Sequence, residues 1–314
     1  MKKIVRYKSR EEWVANRSLG IGASEVGTML GINEWETPYQ LWRRKKGLDD
    51  PKVETFAMKA GHYLEDAVSR FFSDETGAHI IKNTTDDFTI YDPSRPWLRV
   101  SPDRLYWREG RTHSDKYKSV LECKTTQLNV DEYNLPRHWF CQLQMNMGVG
   151  EYEDGALAWL VQGRTFGYRN IEFDPLFYAW LVERVTEWWQ RYIIGDEEPP
   201  ITTADDVMLK YPRHAEGKEV LADTTIAKKI LDLKELKNKM KQLEEDIDEL
   251  ANTIRVFFAD AEAIVDGSGK VLATYKAKKN SMRFDLKEYE ENTPEDERAK
   301  FYHEVPGART LLIK

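Results

Sequence analysis

Glu122 and Lys124 stand two positions apart in the apolar run LECKTT, residues 121–126. Alternate side chains of a strand share a face, so this carboxylate and this ammonium project together while Cys123 points the other way. Alone, a Glu-x-Lys triplet is an ordinary solvated strand face. Its neighbours change that. Asp103 follows Pro102 in VSPDRLYW, where a strand breaks, and a hairpin return would bring Asp103 beside Glu122 at the sheet edge. Glu65 projects from residues 54–72, whose apolar positions fall near helical spacing. Carboxylates that converge on one lysine repel one another unless a cation sits among them. Magnesium suits such a set, because it takes a few carboxylates together with waters and phosphate oxygens. The lysine then orients the attacking water and stabilises charge growing on phosphorus, which makes the chemistry phosphodiester hydrolysis.

The elements that must position these residues read as an α/β domain. Ser24 is placed to cap a short helix ending near Gly31, and Thr37-Pro38 opens another that Gly47 closes. Strand signals follow at 88–91, 97–101 and 119–125, then at GALAWLVQ and TFGYRNIEF. Between these, PRHWFCQLQMNMGV reads as a helix, and DPLFYAWLVERVTEWWQRYI as a long one opened by Asp174-Pro175. Helices, a strand cluster, a crossing helix and further strands predict a mixed β-sheet core flanked by helices. The first domain is expected to span 1–204, and 205–314 to form an extension. In that extension, apolar residues from Ile226 to Phe257 alternate threes and fours, as in a long helix with a coiled-coil-like seam or one packed on its own domain. A β-hairpin around Asp266-Gly267-Ser268-Gly269 follows, and its outgoing strand runs into Lys276, Lys278, Lys279 and Arg283.

Composition excludes several classes. With 41% hydrophobic and 32% charged residues among 314, neither a disordered chain nor a membrane protein fits. No apolar run approaches the ~20 residues of a membrane span, and MKKIVRYKSR leads into charge rather than a signal-peptide core, so a cytoplasmic protein is expected. Two cysteines, Cys123 and Cys141, are too few for a disulfide framework or a Cys-rich metal site. The net charge of −7 means that any nucleic-acid site must be a local patch.

Taken together, RSLGIGASEV at 17–26, GHYLED, SPD, LECK and CQLQM at 141–145 resemble the YqaJ-type, phage lambda-type recombination exonucleases of the PD-(D/E)XK nuclease superfamily. The likeness runs from about Arg17 to about Tyr192 with motif order kept. It implies the restriction-endonuclease-like fold and a magnesium-dependent 5′→3′ exonuclease on double-stranded DNA ends, with manganese able to substitute. It also implies a homotrimeric ring, a phage single-strand annealing protein as partner, and action in the bacterial host cytoplasm with no membrane. By this resemblance Asp103, Glu122 and Glu65 hold metal, Lys124 assists the attacking water, and Gln142 stands beside the lysine. Arg17, Ser24 and Ser101 match positions that bind a terminal 5′-phosphate. A helix start at Ser24, with Gly20 and Gly22 admitting close approach, suits an anion. Other readings are a restriction or repair endonuclease of the same superfamily, and a non-catalytic DNA-end scaffold.

Remaining features carry less. The histidines at 62, 79, 113, 138, 214 and 303 lack zinc spacing, although His62 falls near Glu65. Trp35, Trp42, Trp139, Trp188 and Trp189 could stack on bases, but large aromatics at helical spacing read as core. Arg43, Arg44, Lys45 and Lys46 read as a solvated helix end that could also guide DNA.

Overall fold

A computed structural model describes residues 2–49, 55–81, 88–302, 307 and 309–313; His303 lies outside the described residues. The chain divides into two compact units, Met1–Lys210 and Tyr211–Lys314. In the first, β1 (Lys3–Arg6), α1 (Arg10–Arg17), β2 (Ile21–Gly22), α2 (Val26–Met29), α3 (Pro38–Lys45) and α4 (Phe56–Thr76) lead into the strands β3 (His79–Ile81), β4 (Phe88–Asp92), β5 (Arg95–Val100), β6 (Arg104–Trp107) and β7 (Ser119–Thr126). After these come α5 (Arg137–Gly150), β8 (Asp154–Val161), β9 (Thr165–Glu172), α6 (Pro175–Trp188) and α7 (Ala204–Lys210).

The strands divide between two mixed sheets, ordered β1-β4-β5-β2 and β3-β6-β7-β8-β9. Pro102 lies where the chain leaves one sheet for the other, since it has no amide to continue the ladder. Asp103 is the next residue, and β6 then pairs antiparallel with β7, Arg104 opposite Leu121. On its other side β7 runs parallel to β8 from Val120↔Gly155 to Thr126↔Val161. Parallel neighbours need a crossover, and α5 supplies it. Glu122 therefore lies on a central strand, not at the sheet edge that a simple hairpin suggests.

α5 runs between the sheets, in contact with β4, β5, β7 and β8. Leu143, Gln144, Met145, Asn146 and Met147 are all 0% exposed, so over these residues no stripe of the helix meets water. Polar residues on such a helix must find partners inside. Gln144 does so by donating to the Glu172 carbonyl and accepting from the Asp174 amide. Across the five-stranded sheet, α4 buries Val68 and Phe72 against Tyr106, Leu121 and Cys123, which confirms that Cys123 faces away from Lys124. α2 packs on α5 where Gly27 faces His138; a Cβ on residue 27 would lie 2.4 Å from the His138 Cβ.

Several terminators follow the expected chemistry. Thr37 caps α3 in a reciprocal arrangement with Gln40, and Asp174 accepts from the Leu176 and Phe177 amides at the start of α6. Ser24 departs from expectation: it lies inside a 3₁₀ turn, Ala23–Glu25, whose cap position is Gly22. Trp42, Trp139, Trp188 and Trp189 are buried, but Trp35 is 80% exposed. The fully buried Asp206 accepts from the Thr202 and Thr203 amides and the Thr37 hydroxyl, tying α7 into the first unit.

The second unit contains α8 (Thr224–Phe258), a hairpin of β10 (Ala263–Val265) and β11 (Val271–Thr274), α9 (Leu286–Asn292) and α10 (Glu295–Arg298). The Asp266 carboxylate closes the hairpin turn by accepting from the Ser268 and Lys270 amides. Among the described residues no helix is long and apolar enough to cross a membrane.

Replacing Gly27 by Ala should lower stability by about 1–3 kcal/mol through overpacking of α2 on α5. Urea unfolding would show this as a lower midpoint at unchanged slope.

Candidate active site

A cavity of about 380 Å³ opens in the first unit, bordered by Glu65, Asp103, Lys124 and Gln142 together with Arg17, Ser24 and Ser101. The two groups of residues that the sequence picks out thus share one space. Glu122 alone lies behind the wall, with 0% exposure.

Three side chains hold that buried carboxylate. Asn146 donates to Oε1, while Gln142 Nε2 and Lys124 Nζ approach Oε2 at 2.5 and 3.2 Å. Lys124 also donates to Gln142 Oε1 at 2.8 Å, so the lysine, the glutamine and the glutamate close a ring of hydrogen bonds. Asp103 Oδ2 accepts from the Cys123 amide at 2.8 Å, which sets its carboxyl against β7. The Asp103 and Glu122 carboxyls lie within hydrogen-bonding reach of one another, and burial, then Asp103, pushes Glu122 well above the usual carboxylate range. Burial would lower the Lys124 ammonium, but Glu122 and Asp103 carry it above its ordinary value.

Asn146 is the member of this set that sequence reasoning missed. It follows Gln142 by four residues and so shares its helix face, a spacing that marks a second amide aimed at the same target. Its Oδ1 is buried with no hydrogen-bond partner among the described residues.

Glu65 reaches the cavity from α4, on the opposite face of the sheet from α5. Its carboxylate meets Arg104 and His62, each at 3.5 Å, so His62 does stand beside it. Among the described residues no group of three or more His, Cys, Asp or Glu is arranged to hold a metal ion. The closest oxygen-donor set is the carboxyl pair Asp103 and Glu122. Two buried carboxyls this close cannot both ionise without a compensating charge, and a hard divalent cation that takes few protein ligands fits that pair.

The rest of the cavity is basic. Arg17 Nη2 lies 3.1 Å from Ser24 Oγ, and the Arg17 guanidinium stacks over the Trp13 ring at 4.8 Å. The Trp13 indole N–H donates to Ser101 Oγ at 3.3 Å, linking the third expected residue to the other two. Gly22 borders the same space. Gly20 has a different reason: a Cβ there would lie 2.4 Å from the Trp97 carbonyl, so its absence lets β2 pair with β5.

Behind this wall Glu25 is 3% exposed and gathers cations. Its carboxylate meets Lys45 Nζ at 2.7 Å, Arg44 Nη1 at 2.8 Å and Arg17 Nη2 at 3.5 Å, and accepts from the Gly22 amide at 2.8 Å. Burial would raise Glu25, but Lys45, Arg17 and Arg44 hold it far below the usual range. Burial pulls Lys45 down to about 8 despite Glu25 beside it. The basic run at the end of α3 is therefore not a solvated helix end. Lys45 has 2% side-chain exposure and donates to the Arg17 carbonyl at 2.7 Å, and Arg44 also grips Glu36 at 2.9 Å.

A mixed sheet whose central strand carries Glu-x-Lys, with an aspartate at the start of the neighbouring strand closing on the glutamate, is the arrangement that the PD-(D/E)XK resemblance implies for this α/β fold. Residues 12–153 match the model of the YqaJ-like viral recombinase domain. The protein YqaJ of Bacillus subtilis strain 168, described as uncharacterized, is 28% identical over 266 residues, 81% of this chain and 80% of that one. Among solved structures, LHK-Exo in complex with dAMP is 17% identical and aligns with 59% of this chain and 93% of its own at a TM-score of 0.45. LHK-Exo is an alkaline exonuclease from Laribacter hongkongensis. A phage related exonuclease from Haemophilus somnus 129PT is 12% identical, covering 57% of this chain and 97% of its own at a TM-score of 0.40.

Glu25 ties the basic wall to the fold's stability. A carboxylate whose folded pKa lies below its unfolded value stabilises fully above the unfolded value and loses that contribution as pH falls through the folded one. Glu25→Gln should therefore destabilise the protein at pH 7 by about 3 kcal/mol, by leaving the buried Lys45 ammonium without its carboxylate. The gap from wild type should narrow as pH drops below 4.5, the unfolded carboxylate value. Urea unfolding at a series of pH values would read both effects.

Proposed function

We propose that this chain is a magnesium-dependent 5′→3′ exonuclease. It degrades one strand of linear double-stranded DNA from a 5′-phosphorylated end and leaves a 3′ overhang for phage-type annealing recombination. A single-strand annealing protein receives the overhang, and the setting is the bacterial host cytoplasm. The observation that carries this reading is the sharing of one cavity by an acid–lysine set and an arginine–serine set.

Arg17, Ser24 and Ser101 offer a guanidinium and two hydroxyls to a terminal phosphate, a combination suited to a doubly charged anion. An end seated there brings a neighbouring phosphodiester toward Lys124. Held by Gln142 and Glu122, the Lys124 ammonium stays charged and fixed, ready to orient the attacking water and to stabilise charge on the phosphoryl oxygens. Asp103 and Glu122 would hold magnesium, with Glu65 bordering the same space. When bound, the ion supplies Lewis-acid polarisation of a phosphoryl oxygen and the positive charge that the carboxyl pair requires. Manganese, which also prefers oxygen ligands, substitutes.

Linear duplexes with 5′-phosphate or 5′-hydroxyl ends, incubated with magnesium or with EDTA, test the proposal. Phosphorylated ends should be digested faster, EDTA should stop the reaction, and covalently closed circles should survive. Lys124→Ala and Glu122→Ala should lower turnover by about 100-fold or more. Near-normal rates in these variants would remove the site assignment. Equal rates on the two ends would remove the phosphate pocket. Cutting of closed circles would indicate the endonuclease, and end binding without magnesium-dependent digestion the scaffold.

A further inference from the structure

The helix α8 carries an apolar seam that the site does not use. From Leu236 onward, apolar residues recur at 240, 243, 247, 250, 254 and 257, alternating steps of four and three. In heptad terms Met240, Ile247 and Ile254 occupy a, while Leu236, Leu243, Leu250 and Phe257 occupy d. The seam is exposed: Leu243 at 61%, Ile247 at 62% and Leu250 at 65%. Within its own unit the last turn is covered, where the 3% exposed Phe258 packs on Tyr275 with ring centroids 5.6 Å apart. At ~1.5 Å per residue, the 35-residue helix is about 52 Å long, far more than one hairpin can cover.

We propose that α8 pairs with α8 of a second copy of this chain as a parallel, in-register, two-stranded coiled coil. Side-chain choice along the seam argues for this occupant. Two of these three a positions are isoleucine and three of the four d positions leucine, a choice that favours two parallel strands over higher orders because the β-branched side chain packs well at a in that geometry. Flanking charges fit the same register. Asp232 at g faces Lys237 at e of the second copy, and Lys239 at g faces Glu244 at e, each contact occurring twice by symmetry. A slip of one heptad would set Asp232 against Glu244 or Lys239 against Lys237, like charge against like. In the single chain Lys239 already meets Glu235 at 2.6 Å, so the interhelical pairs exchange one exposed partner for another. They select register, and the apolar seam supplies the affinity. Lys229 at a d position marks where the seam weakens toward the helix start. Pairing of this kind joins copies in twos, whatever assembly the first unit forms.

The full-length protein tests this with single introduced thiols, since both native cysteines are buried. Under mild oxidation at micromolar concentration, Leu243→Cys should form a covalent dimer on a non-reducing gel, because equivalent d positions face each other in a parallel register. Glu245→Cys, on the far face of α8, should form none. Adding Leu236→Asp and Leu250→Asp to the Leu243→Cys chain should reduce the dimer at least tenfold. Three results would overturn the proposal: no cross-link from Leu243→Cys, an equal yield from Glu245→Cys, or a cross-link only when Met240→Cys and Leu243→Cys chains are mixed, which would mean an antiparallel pair.

Discussion

A carboxylate with no exposed surface, Glu122, is the constraint around which the first unit is arranged. Left without donors in a protein interior, such a group would be far too costly to keep. The fold answers with donors from two directions, Lys124 from its own strand and Gln142 and Asn146 from α5. This requires a stretch of helix buried on all sides, lying between two sheets, with amides on the face toward β7. It also requires β7 to be central, so that its neighbours fix it on both sides. Asp103 completes the setting because the chain changes sheets one residue earlier.

The protein has a second buried acid with the opposite environment. Glu122 sits beside another carboxyl and is pushed up, whereas Glu25 sits among Lys45, Arg17 and Arg44 and is held down. At the first, two carboxyls share one lysine; at the second, one carboxylate is met by three cations. Residues in contact with each of them, Lys124 and Gln142 for the one and Arg17 and Gly22 for the other, border the same cavity, which thus joins a carboxyl pair to a group of cations.

Local rules made much of this legible. Period-two and helical patterns place β7, β8, β9 and α5, and cap chemistry at Thr37 and Asp174 marks where α3 and α6 begin. The acid–lysine group was readable because its residues are chemically unusual for a strand and because Pro102 marks the break beside Asp103. What stayed hidden depends on contacts between distant segments. Lys45 looks solvated in a run of four basic residues until Glu25, twenty positions earlier, is seen beside it. Asn146 lies in an apolar run, and its four-residue spacing from Gln142 points to Glu122 only once Gln142 is itself placed on that acid. Ser24 has the residue type of a cap but lies inside the turn, because Glu25 takes over the task of satisfying the Gly22 amide. Division into two sheets was equally invisible, since each strand is compatible with either.

Gly27 has no chemistry of its own, yet it sets how deeply α5 can seat, because His138 fills the space its missing side chain leaves. The same helix carries Gln142 and Asn146, one and two turns farther along. A bulkier residue at 27 would therefore act as a shim, lifting both amides from the acid they grip while leaving every reactive group unchanged. A mutational scan would place position 27 among the functional residues, although its contribution is purely one of clearance.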